Sequence, residues 1–390
     1  MKKIVILGGG FAGVVTALQL RHHNNKAEII LISKDDCFVF VPSLYETAAG
    51  ELSEGDACLL ISRLLSHNGI TYYHDDVMSL NIDKKAIKTR HLQCIDFDIA
   101  VVAIGAESNY YDIQGAEKYT HNLKTKEDSQ CIYEYVNNII LSKKPHRFII
   151  CGGGLTGVEF TGMLHEHILE SCRRLKSSPS LYKIAIIESS PSILPNLPKS
   201  AIDFATGYLK KHGITIHTNS KIIRISKGYI STAEKKIAFD MAVWTGGLKT
   251  HHFITDSRLP HSDKASGRGI AGGGMLVNEH LQSINSKIVF GAGDCICPAK
   301  QEIHVIKTAQ NAVEEAMIVA YNINAILNKK PLKDYIPKAN KFYCSLGKKM
   351  GIYVSNTKIY TGEHIKRKKD RLEFNYINYL RKGKLPAGIY

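Results

Sequence analysis

The chain lacks any apolar run approaching the roughly 18 residues that a membrane-crossing helix needs, so no spanning helix is expected in its 390 residues. It also lacks paired CxxC spacing. Its nine cysteines, at positions 37, 58, 94, 131, 151, 172, 295, 297 and 344, form an odd, scattered set, which points away from a structural zinc site. Cys295-Ile296-Cys297 is too tight for an ordinary redox pair, and most of the nine read as buried thiols of a reducing compartment. Acid is scarce: 36 acidic side chains face 51 basic ones, for a net charge of +15. From Pro331 onward 14 basic residues meet only four acidic ones, so that segment carries ten of the fifteen excess charges. Met1-Lys2-Lys3 leads directly into an apolar segment and leaves no room for a signal peptide. A cytoplasmic protein, or one attached peripherally to the inner face of the cell membrane, is the expectation.

What is present is a composition 44% hydrophobic and 22% charged, ordinary for a globular chain long enough to hold two or three domains. The stretch that organises it is Arg147 to Glu159. Phe148 to Cys151 is a short apolar strand, Gly152-Gly153-Gly154-Leu155-Thr156-Gly157 a glycine turn, and Val158 to Leu169 a helix by its apolar spacing. Gly152 permits the tight turn, Gly154 lets a pyrophosphate approach the backbone, and Gly157 lets the helix pack closely on its strand. The phosphates then meet the free N–H groups and positive dipole end of the helix.

The chain carries a second copy. Gly8-Gly9-Gly10-Phe11-Ala12-Gly13 follows the strand Ile4 to Leu7 and precedes a helix over Val14 to Leu20, with Gly8, Gly10 and Gly13 in the same three roles. Each turn is followed later by an apolar strand ending in glycine, at Gly105 and Gly246. One such turn is weak evidence; an internal repeat is far stronger. Two dinucleotide-binding domains of α/β class, Rossmann-like in form, are expected.

The strand after each turn sets what its site recognises. Lys183 to Ile187 ends in Glu188, whose carboxylate can hold an adenosine ribose and repels a 2′-phosphate, favouring NADH. Glu28 to Ile32 ends instead in Ser33 and Lys34, a hydroxyl for a ribose and a cation for a phosphate. The interval from Gly157 to Glu188 is long, which a helix through Arg173 and a loop at Ser177 to Ser180 would absorb. Between residues 68 and 104, Asn68-Gly69 and Asp83-Lys84 turns suggest a small antiparallel insert. Ile288 to Gly293 is a further apolar strand ending in Asp294, where an acid can hold sugar or ribityl hydroxyls or else cap a helix. A long helix is expected from Thr308-Ala309-Gln310. In the C-terminal part, Lys366 to Lys369 precede Leu372, Tyr376, Tyr379 and Leu380, which share one helical face. Such a basic amphipathic segment suits an anionic membrane surface, while a solvated charged face or a homodimer contact would read the same way.

With these residues in view, the chain resembles the type II NADH:quinone oxidoreductases, within the superfamily of flavoproteins with two dinucleotide domains. The resemblance rests on Gly152 to Glu159, the Pro42 to Gly50 run, Val243-Trp244-Thr245-Gly246-Gly247, Gly293-Asp294-Cys295 and Thr308 to Ala312. It implies FAD on the first glycine turn, with Asp294 and Pro42, in residues 1–112 and 255–330. It implies NADH on the second turn in 113–254, a quinone near the flavin beside Ala309 and Gln310, and peripheral membrane attachment through 331–390, without proton pumping. Glu159 is the residue expected to position cofactor or handle a proton, unless it is only an acid favoured by the helix dipole. Glu314 stands where the family pattern has a second glutamine. The alternatives are a sulfide:quinone oxidoreductase, which would need Cys172 with Cys344 beside the flavin, and a non-enzymatic NADH-sensing flavoprotein. A dithiol reductase is disfavoured, since no cysteine occurs between Phe38 and Ala57. No nucleic-acid motif accompanies the basic residues.

Overall fold

The computed structural model describes residues 1–23, 26–92, 94–195, 197–262, 273–299, 307–337 and 341–384; Lys338, part of the C-terminal charge excess, lies outside them. The fold is a mixed α/β one built on two five-stranded parallel sheets of the same plan. In the first, the order is Val289–Gly291, Ile99–Val102, Lys3–Leu7, Glu28–Ser33, Thr71–His74. In the second it is His121–Asn122, Met241–Trp244, His146–Cys151, Tyr182–Ile187, Thr215–His217. The central strands of both are apolar and buried on both faces, as parallel strands covered by helices must be. Each sheet also carries a three-stranded antiparallel meander, over Val77–Asn81, Ala86–Thr89 and Cys94–Asp96 in one and Ile222–Ser226, Tyr229–Thr232 and Lys236–Ala238 in the other. The duplication therefore extends well beyond the glycines.

The insert differs in one respect from the sequence expectation. Asn68-Gly69 leads into Thr71–His74, which joins the parallel sheet beside Glu28–Ser33; only the Asp83-Lys84 turn belongs to the meander. The long interval before Glu188 is taken up as anticipated, by a 21-residue helix, Leu155–Leu175, against 12 residues for its counterpart Phe11–His22. The chain crosses between the sheets twice, and the crossings pair as a short antiparallel ribbon, Glu107–Ser108 with Leu248–Lys249.

The C-terminal part is a layer of the fold rather than an appended segment. Lys341–Ser345, Gly351–Ser355 and Lys358–Gly362 form an antiparallel sheet followed by the helix Glu363–Arg381. Phe342, Cys344, Leu346, Ile352 and Val354 enter the core of the second sheet, while Tyr376, Ile377 and Leu380 enter that of the first. Each such side chain contributes roughly 1.5–3 kcal/mol by burial. Close docking needs Gly162, where a Cβ would overlap the backbone at Leu346. The expected shared face is also corrected: Tyr376 and Leu380 turn inward, but Tyr379 is 50% exposed. Among the cysteines, Cys37 and Cys58 form a disulfide between two paired strands, Cα atoms 5.8 Å apart, where free thiols were expected. Cys151, Cys172, Cys295 and Cys344 are buried and free, Cys297 is partly buried, and Cys94 and Cys131 are exposed.

Candidate functional site

The two glycine turns are built alike. Gly8 and Gly152 have φ of 110° and 120°, which an L side chain rarely adopts. A Cβ at Gly13 would overlap the Gly8 carbonyl oxygen, and one at Gly157 the Gly152 oxygen, so both glycines are required for the helix to sit on its turn. Gly10 and Gly154 differ: a Cβ there would meet nothing within 4 Å. They are also the N-caps of their helices, and neither helix has a side-chain cap or an acid in its first turn. Two other long helices do have side-chain caps, Thr125 and Asp128 forming a capping box and Thr308 accepting from Asn311 N–H. The two turns thus leave N–H donors facing open space, the arrangement that accepts a phosphate.

Ser33 and Glu188 occupy equivalent places at the ends of the second strands. A Cβ at Gly9 would lie 2.7 Å from Ser33 Oγ, and one at Gly153 would lie 3.2 Å from Glu188 Cβ. Glu188 is held in place: Oε2 accepts from Gly153 N–H at 2.7 Å, and Oε1 from Ser190 N–H at 2.7 Å and Ser189 Oγ at 3.1 Å. Ser33 Oγ accepts from Asp35 N–H at 3.2 Å, and the exposed Lys34 accepts His74 Nε2 at its carbonyl, 2.8 Å away. Gly105 has φ of 72° and open space before it. Its structural counterpart is Gly247, with φ of 138°, whereas the expected Gly246 packs against the Trp244 indole.

Asp294 follows Val289–Gly291 and enters a strand, Ile296–Pro298, so it caps no helix. Its neighbour Gly293 lies over Ala12 at the start of the first fingerprint helix and donates its N–H to Glu315 Oε2 at 2.6 Å. Sequence reading passed over Glu315. Burial pushes its carboxyl up to about 7, against the opposing pull of Lys307 and the Gly293 N–H. Ala309 opens the helix Ala309–Leu327, on which Gln310 Nε2 donates to Glu314 Oε1 at 2.7 Å. Pro42 stands in the short 3₁₀ turn Val41–Ser43 that leads into Leu44–Ala48.

The raised Glu315 pKa has a consequence for stability. Its folded value lies above the ordinary 4.5, so the folded state holds the proton more tightly. The stabilising effect is complete below the unfolded pKa and is lost as pH rises through about 7, for a loss of about 3 kcal/mol. Glu315→Gln, which keeps an acceptor for Gly293, is expected to flatten that part of the profile. Denaturant midpoints of both proteins at pH 5 and pH 8 check it; parallel profiles would show that Glu315 does not titrate there.

Glu159 lies in the first turns of Leu155–Leu175 and is buried. Its Oε1 accepts from Ser345 N–H at 3.0 Å and lies 3.6 Å from Lys369 Nζ. Lys369 Nζ also meets Glu373 at 2.8 Å and donates to the Tyr45 hydroxyl at 2.8 Å, which donates to Ser345 Oγ at 3.0 Å. Lys366 pairs with Glu46 at 3.0 Å and with Asp370. Burial raises the Glu159 pKa and Lys369 opposes it. Lys366 and Lys369 are only 4% and 2% exposed, so two members of the supposed surface tract are internal cations. Four elements thus meet around one buried set of charges: Leu44–Ala48, Leu155–Leu175, Lys341–Ser345 and Glu363–Arg381. Beside it, Tyr376 packs 5.8 Å from Phe11, the residue after Gly10, and 5.9 Å from Phe40. Its buried hydroxyl has no protein partner among the described residues.

Cys172 and Cys344 do not form a pair. Cys172 is thirteen residues beyond Glu159 on the same helix, about 20 Å along its axis, while Cys344 adjoins the Ser345 that Glu159 accepts from. The sulfide-oxidising alternative loses the cysteine pair it was built on.

The pyridine nucleotide-disulphide oxidoreductase family matches residues 2–316. A type II NADH:quinone oxidoreductase of Staphylococcus saprophyticus is 27% identical over 369 residues, covering 90% of this chain and 89% of that one. The structure of NDH2 from Plasmodium falciparum in complex with NADH matches with a TM-score of 0.82 at 21% identity, over 97% of this chain and 94% of that one. The sulfide:quinone oxidoreductase from Aquifex aeolicus matches with a TM-score of 0.84 at 18% identity, over 99% and 93%. At such identities the structural likenesses speak for the fold alone.

Proposed function

The chain belongs to the pyridine nucleotide-disulphide oxidoreductase family, and from that premise we propose that it oxidises NADH and passes two electrons to a quinone, without proton pumping. The observation that carries this reading is the asymmetry of two otherwise equal sites: only the second strand end bears a carboxylate, Glu188, fixed by Gly153 and Ser190. That carboxylate suits the ribose hydroxyls of NADH and repels the extra phosphate of NADPH. Gly152, Gly154 and Gly157 would hold its pyrophosphate.

FAD would be held in residues 1–112 and 255–330, by Gly8, Gly10, Gly13, Ser33, Lys34, Pro42, Gly105 and Asp294. The fit is physical: uncapped N–H groups and open space lie at Gly10, and the orphaned Tyr376 hydroxyl stands beside Phe11, where a bound group can satisfy it. A bound flavin would supply a hydride acceptor and two-electron donor. The residues of the chain orient the partners and manage protons. Glu159, buried beside Lys369, holds or releases a proton between the two nucleotide domains. Gln310, with Glu314 fixing its amide, lines the quinone side together with Ala309. Membrane attachment would use the outward stripe of Glu363–Arg381, where Arg371, Phe374 and Tyr379 are exposed, with the exposed Lys382 just beyond it. No described helix is long and apolar enough to cross a membrane.

Anaerobic mixing tests the reading. NADH is expected to bleach the flavin absorbance, and a soluble quinone to restore it. Gly154→Ala adds a methyl group into open space, so it is expected to fold normally yet bleach only at much higher NADH concentration. Absence of bleaching in the unsubstituted protein would overturn the proposal.

A further inference from the structure

At the ribbon that joins the two sheets, three metal-ligating side chains converge. Glu107 comes from the outgoing crossing; His251 and His252 follow the returning one. The imidazoles are stacked, centroids 4.5 Å apart and planes at 27°. Both direct Nδ1 toward Glu107 Oε1, His252 in direct contact and His251 at 3.8 Å. One ligand atom from each of the three lies within 4.8 Å of the others. Lys249 sits 3.4 Å from the other carboxylate oxygen, Oε2, and so leaves Oε1 to the histidines.

We propose that Glu107, His251 and His252 form a Zn²⁺-class metal site that clips together the two chain crossings between the nucleotide domains. Two imidazole nitrogens and one carboxylate oxygen are a donor set for Zn²⁺ and neighbouring divalent transition ions, with a fourth position left for water. Mg²⁺ and Ca²⁺ favour oxygen ligands and do not suit it. Tetrahedral zinc with bonds of about 2.0–2.1 Å sets its ligand atoms about 3.4 Å apart, so His251 must close in while the direct His252–Glu107 contact opens to admit the ion. Side-chain rotation supplies this, because His252 is exposed and lies at the start of a short helix, His252–Asp256. His251 gives up only a weak contact, its Nδ1 accepting from Phe253 N–H at 3.2 Å. The ammonium of Lys249 stays on Oε2 and offsets the carboxylate charge, which tunes the site toward reversible occupancy. The ion would tie Glu107 to His252, 145 positions away, and to its neighbour His251, across the only strand pairing between the two crossings among the described residues.

The inference is independent of the quinone reading, and its test does not use turnover. Flavin-loaded, chelator-stripped protein is titrated with ZnCl₂ at pH 7.5 by calorimetry and, separately, followed by thermal unfolding. One Zn²⁺ per chain is expected to bind, with a rise in the unfolding midpoint that MgCl₂ does not produce. His252→Ala, at an exposed position that leaves the core untouched, is expected to weaken binding by at least about 100-fold, beyond the cost of losing an outer-shell partner, and to abolish the thermal shift. His22→Ala is the control, since His22 and His23 are another adjacent pair; it is expected to bind like the unsubstituted protein. Undiminished binding by His252→Ala, or loss of binding in His22→Ala, would place the metal elsewhere and overturn the proposal, as would no binding at all.

Discussion

Replacing Lys369 with methionine is expected to lower the unfolding free energy by about 3–5 kcal/mol, the cost of breaking a buried ion pair from one side. Methionine fills much the same volume, so packing is nearly conserved and the loss is electrostatic. Lys369 faces Glu159 at 3.6 Å and Glu373 at 2.8 Å, and the substitution leaves both carboxylates inside without their shared cation. They can escape that penalty by taking up protons, so the deficit is expected to shrink as pH falls. Adding Glu373→Gln to Lys369→Met is expected to recover part of the loss, because one of the two stranded charges is gone. Chemical denaturation of the three proteins at two pH values measures this. A loss below about 1 kcal/mol, the size of a surface pair, would mean that water reaches these groups.

This charge set also shows where the sequence stops being legible. The glycine turns could be read because each glycine answers a local demand: a positive φ, an approaching helix, an approaching ligand. The repeat then made the reading specific, and the two parallel sheets follow the strands it marked. Lys366 to Lys369 offered no such local demand. Their partners Glu46 and Glu159 lie far away in the chain, Glu46 at a separation of 320 residues, and a run of four cations reads as solvated when its counter-charges are out of view. One signal was present. Lys366 with Asp370 and Lys369 with Glu373 are spaced four apart, and Ile365, Lys369, Tyr376 and Leu380 continue one helical stripe through them. Glu107 and the two histidines escaped for the same reason, since only the sheet crossings bring them together. Gly247 was missed by a single position, because both glycines after Trp244 satisfy the pattern and only the backbone angle separates them.

Glu159→Gln is expected to slow turnover by about 100-fold or more, the lower range for removing a general acid or base, while bound flavin and folding stay intact. Glutamine keeps an acceptor for the Ser345 N–H, and Lys369 keeps Glu373 and Tyr45 as partners, so the local structure has little reason to shift. What goes is a titratable carboxyl whose pKa burial has raised. A group tuned upward in this way keeps its proton to higher pH than an ordinary carboxyl, which suits a reaction adding two electrons and two protons to a quinone. The rate profile should therefore lose one limb: in the unsubstituted protein kcat/KM changes as Glu159 ionises, and in the variant that change is absent. Separating the half-reactions by rapid mixing tells the role apart from mere positioning of NADH. If Glu159 handles the proton, flavin reduction by NADH stays fast and reoxidation by quinone slows. If it only orients the nicotinamide, the first step slows and the pH profile keeps its shape. Both steps unchanged would remove Glu159 from the chemistry and leave it as the anion that holds Lys369 inside the fold.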